Sequence, residues 1–174
     1  MDQQEQKKPG RTLFWSELLH LLIKLIIVAA ITVLIFTFLF GLTRNQSLNM
    51  QPAVQDGDLL LYYRIVPQYQ ADQIVIVKHD GRTLPVRVVA TAGDTVNITP
   101  DGLTVNGSVV VEPGVIGETT AFVGAVTFPL TVPQGQVFLL GDNRENALDS
   151  RVFGCVDEDD IQGKVIGLFR RRNF

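Results

Sequence analysis

A single cysteine, Cys155, has no partner for an internal disulfide, and the chain offers neither a CxxC pair nor a histidine-rich cluster for a structural metal. Metal and cofactor are therefore expected to be absent. Basic residues are outnumbered, with 15 Lys and Arg against 18 Asp and Glu, which argues against a nucleic-acid-binding face. Internal repeats and low-complexity stretches are missing, and so is any long amphipathic helix beyond the N-terminal region. An apolar fraction of 46% is ample for a core and excludes disorder as the main theme. The 174 residues suit one compact domain plus an appendage.

The apolar excess lies near the start. Leu25 to Leu42 runs for 18 residues without a charge, roughly 27 Å as a helix, close to the hydrocarbon thickness of a bilayer. Before it, Glu17, His20 and Lys24 share one helical face, which reads as the interfacial start of the same helix. Trp15 would sit at headgroup level. Lys7, Lys8 and Arg11 precede the span and place the N-terminus in the cytoplasm. Phe36, Phe38, Leu39, Phe40 and Leu42 close the run with no Ala-X-Ala behind them, so an anchor is expected and not a cleaved leader. The expected organisation is a cytoplasmic tail over 1–12, an interfacial and membrane-spanning helix over 13–42, and an exported domain over 43–174. That last part is acidic, with 11 basic and 15 acidic residues.

After the span the pattern is strand-like. Leu59–Ile65, Ile74–His79, Arg82–Val89, Thr95–Thr99, Ala121–Thr131, Gln136–Leu140 and Lys164–Arg170 are short apolar runs broken by Gly, Pro, Asp and Asn. Asn106-Gly107, between Leu103–Val105 and Val109–Val111, is a two-residue hairpin signal. The fold class expected is mostly β: an antiparallel barrel or sandwich behind one N-terminal transmembrane helix.

Three segments then stand out: Ser47-Leu48-Asn49-Met50-Gln51-Pro52, Val86-Arg87-Val88-Val89 leading to Gly93-Asp94, and Gly141-Asp142-Asn143-Arg144 followed by Asp149-Ser150-Arg151 and Gly154. In this order, behind an anchor, they resemble the motifs of bacterial type I signal peptidases. The resemblance implies a largely antiparallel β domain at the outer membrane face, in which a Ser nucleophile and a Lys base cleave signal peptides after small residues. A Ser hydroxyl needs a base within reach, and a Lys can serve only when burial leaves it neutral.

The chain departs from that pattern at the chemistry. Asn49 stands where the resemblance places the Ser, Val86 where it places the Lys, and Ala147 where it places a Ser that helps hold the Lys. These changes leave no partner orphaned, and the expectation is a repacked frame: not an enzyme, a pseudo-peptidase without catalytic residues. Ser47, two residues before Asn49, is a candidate shifted nucleophile or a polar loop residue. Lys78 and His79 read as a solvated turn. Asp142 and Asp149 are a candidate acid pair. The favoured reading has Asp142, Arg144, Asp149 and Arg151 in a buried or semi-buried ion and hydrogen-bond cluster that holds the motif. Arg87, Gly93, Asp94, Gly141, Asn143, Ser150 and Gly154 are also expected to be structural, with Cys155 an apolar filler.

Ser47, Met50, Pro52, Leu84 and Pro85 are expected to line a peptide groove. Pro85, without an N–H, suits an edge strand. By resemblance to signal-peptidase-like members of Gram-positive pilus clusters, the expected role is to assist sortase-dependent pilus assembly by binding or presenting pilin precursors. The partners expected are the membrane and a pilin precursor, with direct contact to sortase left open and no nucleic acid. Two other readings stay open, an active signal peptidase with atypical residues and a regulator of one.

Overall fold

A computed structural model describes residues 10–122 and 125–170, with side chains from Phe14 onward. It divides into two units, one ending at Leu39 and one starting at Phe40. The expected tail over 1–12 lies largely outside the described residues.

The first unit is a single helix, α1 (Gly10–Leu39). Its segment Phe14–Leu39 is long and apolar enough to cross a membrane. Within it, the Thr32 hydroxyl donates to the Val28 carbonyl at 2.8 Å and that of Thr37 to Val33 at 3.0 Å. Both polar side chains are thereby satisfied by the helix itself, as an apolar solvent requires. The helix stops at Leu39, and Phe40, Gly41 and Leu42, counted with the apolar run in the sequence, belong to the first strand.

The second unit holds two antiparallel sheets. The strands are β1 (Phe40–Arg44), β2 (Leu59–Tyr63), β3 (Ile74–His79), β4 (Arg82–Thr91), β5 (Thr95–Thr99), β6 (Gly102–Val105), β7 (Ser108–Val109), β8 (Leu130–Thr131), β9 (Gln136–Leu140), β10 (Val156–Asp157) and β11 (Ile161–Phe169). The larger sheet runs β1-β2-β11-β3-β4-β9-β10 and the smaller β7-β6-β5-β8. A short helix, α2 (Ser150–Phe153), follows β9. This is the mostly antiparallel β fold that the sequence implies. The expected strand Ala121–Thr131 is reduced to Leu130–Thr131, with residues 123–124 outside the described set.

Period-two alternation sorts the core. Val75 and Val77 of β3, Leu84, Val86 and Val88 of β4, and Val137 and Leu139 of β9 form one cluster. The intervening Phe138 and Leu140 face a second cluster with Val89, Ala90, Val96, Leu103 and Val132, which joins the two sheets. A third, of Met50, Val54, Leu60, Tyr62 and Ile76, seats the 45–58 loop on the sheet. Asn106 and Gly107 take φ of 53° and 78°, the two positive values that a tight β6–β7 turn demands.

One long strand positions the site. β4 pairs with β3 along Arg82–Arg87, but with β9 only from Arg87 to Thr91. Among the described residues, nothing pairs with the other side of Arg82–Val86. Val88 N–H donates to Gln73 O, and Val88 O accepts from Asp72 N–H, so Val88 faces β3. By alternation Val86 and Leu84 also face β3, while the backbone groups of Thr83 and Pro85 point to the open side. Pro85 therefore loses no bond to β3, and the open edge carries Thr83 N–H, Thr83 C=O and Pro85 C=O.

Candidate functional site

The 45–58 loop is built from its own side chains. Buried Asn45 donates through Nδ2 to the carbonyls of Ser47 and Gln55, both at 2.9 Å. Its Oδ1 accepts from Ser47 N–H at 3.1 Å and Ser47 Oγ–H at 2.9 Å. The far end is tied by Asp58, whose Oδ2 accepts from Gln55 N–H at 2.8 Å and from Arg170 Nη2 at 2.7 Å. Arg170 also reaches the Ala53 carbonyl at 3.2 Å. The hydrogen-bonded Arg170 guanidinium holds the Asp58 carboxyl below its ordinary range, against the opposing pull of burial.

Asn49 is 4% exposed and makes a two-point contact with the backbone of Leu148: Nδ2 donates to the carbonyl at 3.0 Å, and Oδ1 accepts from N–H at 3.3 Å. The Asn49 carbonyl accepts from Asn143 N–H at 2.9 Å. Gly141 is required beside it, because a Cβ there would come within 2.4 Å of Ala147 Cβ and 2.6 Å of the Asn49 carbonyl oxygen. Val86 is fully buried, and Leu148 packs on its cluster. The structure thus gathers Asn49, Ala147 and Gly141 at one point, with Leu148 joining them to Val86.

Of the ion and hydrogen-bond cluster expected of Asp142, Arg144, Asp149 and Arg151, the last three are joined by hydrogen bonds, while the ion pairs are three and Asp142 takes its cation from Arg87. Arg87 grips Asp142 bidentately at 2.8 and 2.6 Å, and its own pKa is raised chiefly by that bond. Arg144 pairs with Glu112 at 2.5 Å, donates to Gly141 O at 2.8 Å and touches the Thr119 hydroxyl. Asp149 and Arg151, both fully buried, pair at 2.9 Å, and Asp149 also caps α2 and accepts from Gly141 N–H. Arg151 Nη2 donates to Arg144 O at 2.7 Å, which links two of the pairs. Asp142 and Asp149 thus each have an arginine partner and are no acid pair. Ser150 Oγ accepts from Leu139 N–H, and Gly154 ends α2 at φ 83°. Gly93, at φ 91°, and Asp94 form the β4–β5 turn, where backbone and side-chain bonds to Thr91 and Asn106 lower the Asp94 pKa. Glu112 carried no sequence signal, since its partner lies 32 residues away.

The open edge of β4 forms one wall of a cleft of roughly 740 Å³. Ser47, Asn49, Thr83, Leu84 and Leu148 line it, together with Arg44 and Arg82. Of the expected groove residues, Ser47 and Leu84 are present. Met50 is instead fully buried in the third core cluster, because the loop turns its side chain onto the sheet. Pro52 is exposed outside the lining and Pro85 is buried, contributing its backbone edge. Lys78 and His79 are the last residues of β3 and not the expected turn; they pair with the cleft-lining Thr83 and Arg82 but do not themselves line the cleft, and His79 stacks on Phe153 at 4.4 Å. Cys155 is half-buried against the second cluster, and burial pushes its thiol pKa up, away from reactivity.

Residues 18–169 match the family described as signal peptidase, peptidase S26. A signal peptidase I of Bacillus licheniformis is 34% identical over 155 residues, covering 81% of this chain and 83% of that protein. Signal peptidase IB of Staphylococcus aureus is 28% identical over 168 residues, covering 86% and 88%. Among solved structures, a signal peptidase I from Enterococcus faecalis aligns with a TM-score of 0.50 at 29% identity, covering 59% of this chain and all of that one.

These relatives overturn one expectation. They are named as signal peptidase I, an enzyme, and they match along most of their length, so the reading of the chain as a non-enzyme is withdrawn. Asn49, Val86 and Ala147 describe how these positions are packed. Matched from within α1 to the end of β11, with antiparallel sheets framing an edge-lined cleft, the chain belongs to the signal peptidase family, peptidase S26.

Proposed function

We propose that the protein is a membrane-anchored member of its family that receives exported precursor polypeptides as an added strand along β4. The anchor is α1, with its N-terminus cytoplasmic and the β domain outside the membrane, a reading supported by the basic residues before the apolar helix. The observation that carries the proposal is the one-sided pairing of Arg82–Val86, which leaves one backbone donor and two acceptors facing the cleft. An extended segment completes that ladder. The client class is pilin precursors presented to sortase, a reading that the sequence resemblance alone supports.

Cleavage of the bound segment is the second reading, favoured by the family's activity and by Ser47. That residue places a hydroxyl in the cleft two residues from Asn49, although its proton is held by Asn45 Oδ1. Hydrolysis through Ser47 needs this bond exchanged for one to a base.

Both readings are tested with the full chain in detergent and a precursor peptide spanning an Ala-X-Ala junction. Thr83→Pro removes the last donor from the open edge without touching β3. Capture predicts that binding is lost in this variant, and unchanged affinity would discard it. Turnover abolished by Ser47→Ala supports cleavage through Ser47, and turnover indifferent to that change removes it.

A further inference from the structure

Seven arginine side chains lie among the described residues. Five are engaged: Arg87, Arg144, Arg151 and Arg170 in ion pairs, and Arg64 with the Phe40 carbonyl and the Tyr62 ring. The remaining two, Arg44 and Arg82, have no hydrogen bond or ion pair from the guanidinium to another described residue. Both line the cleft beside the β4 edge. They come from different strands, β1 and β4, so their meeting there is a product of the fold.

The rest of the lining sharpens the contrast. None of the residues lining the cleft is acidic, although the β domain carries more carboxylates than cations. The other polar groups are amides and hydroxyls, among them Gln46, Ser47 and Asn146. Arg44 also has a prepared seat: a Cβ added at Gly57 would lie 3.3 Å from Arg44 Nη2, and Gly57 holds φ of 86°. A basic cleft on an acidic domain draws an anion, and guanidinium forks match carboxylates bidentately.

We propose that Arg44 and Arg82 make the cleft selective for extended polypeptide segments carrying acidic side chains. This rests on the reading of the β4 edge as a polypeptide site. Thr83 and Pro85 hold the segment's backbone, and the two guanidiniums take carboxylates projecting from it. Anionic lipid headgroups would satisfy the cations equally well, but they have no use for the free strand edge that runs along the same cleft. The observations therefore favour a peptide.

The test uses the full chain in nanodiscs of zwitterionic lipid and two fluorescent peptides, one alternating alanine with glutamate and the other alanine with glutamine. The glutamate peptide is expected to bind roughly three- to tenfold more tightly, as two partly exposed charge pairs allow. The difference should shrink at high salt, disappear in Arg44→Gln/Arg82→Gln and survive in Arg44→Lys/Arg82→Lys. The lysine variant keeps the charge and so separates its loss from a damaged fold. Equal, salt-independent binding of both peptides overturns the acidic preference and leaves the strand-addition reading standing. Failure of both peptides to bind overturns the two together. If the glutamine variant loses affinity for phosphatidylglycerol vesicles while its peptide binding is unchanged, the cations serve lipid and the proposal falls.

Discussion

The side-chain amide of Asn49 closes a ring with the backbone of Leu148, donating at 3.0 Å and accepting at 3.3 Å across 99 residues of sequence. An amide carries a donor and an acceptor side by side, as a peptide group does, and can satisfy both. Asn49→Ala strips both partners and leaves part-buried backbone groups of Leu148 unpaired. The expected loss is about 1–3 kcal/mol of stability, read as a lowered denaturation midpoint of the detergent-solubilised chain.

Asp142 is almost fully buried and holds Arg87 in a bidentate pair. Arg87→Ala leaves that carboxylate without its cation, and removing one partner of such a pair costs on the order of 3 kcal/mol or more. Arg87→Lys keeps the charge but loses the fork, so its cost should fall between wild type and Ala. Thermal unfolding of the two variants checks the ranking.

The Asp58–Arg170 pair sets a pH window. Its carboxyl pKa is lower in the folded chain than in the unfolded one, so the pair stabilises above about pH 4 and that contribution fades as pH falls through the depressed folded value. Asp94 titrates in the same direction. Asp58→Asn should therefore be less stable than wild type near neutrality and converge with it in strong acid. Denaturation midpoints across that range measure this, and parallel curves would refute the linkage.

Much of the β framework is legible in local pattern. Thr95–Thr99 and Gln136–Leu140 begin and end where the apolar runs meet Gly, Pro or Asp, and Ile74–His79 ends at Asp80, because alternation and turn chemistry agree there. β1 was hidden because Phe40–Leu42 is as apolar as the helix before it. What makes it a strand is pairing with Leu61–Tyr63, a tertiary fact. Ala121–Thr131 misled in the opposite way. Nearby, Thr120 O accepts from Arg151 Nη1, the Phe122 ring lies under the Arg151 guanidinium, and Thr119 and Glu112 are tied to Arg144. Those bonds span 25–32 residues and leave no local signature. At the site, the edge character of Pro85 was legible from its missing N–H, whereas burial of Met50 depended on how the loop folds back.

Pro85 also limits any strand added beside it. One carbonyl of the incoming segment finds no donor there and must turn to water. Pro85→Ala supplies that donor without altering the β3 side. Affinity for an extended precursor peptide should rise roughly two- to tenfold, as one added hydrogen bond allows, and titration of the two proteins against the same peptide measures it.

The half of β4 that faces the cleft is continuous with the half clamped between β3 and β9. Paired to β3 from Arg82 to Arg87, such a rail is held against swinging out to meet a visitor or moulding itself around a finished domain. On the strand-addition proposal, whatever docks must already be drawn out into a ribbon, which confines engagement to the interval after a newly exported chain emerges and before it collapses into its own fold, or to an unstructured tail that never does.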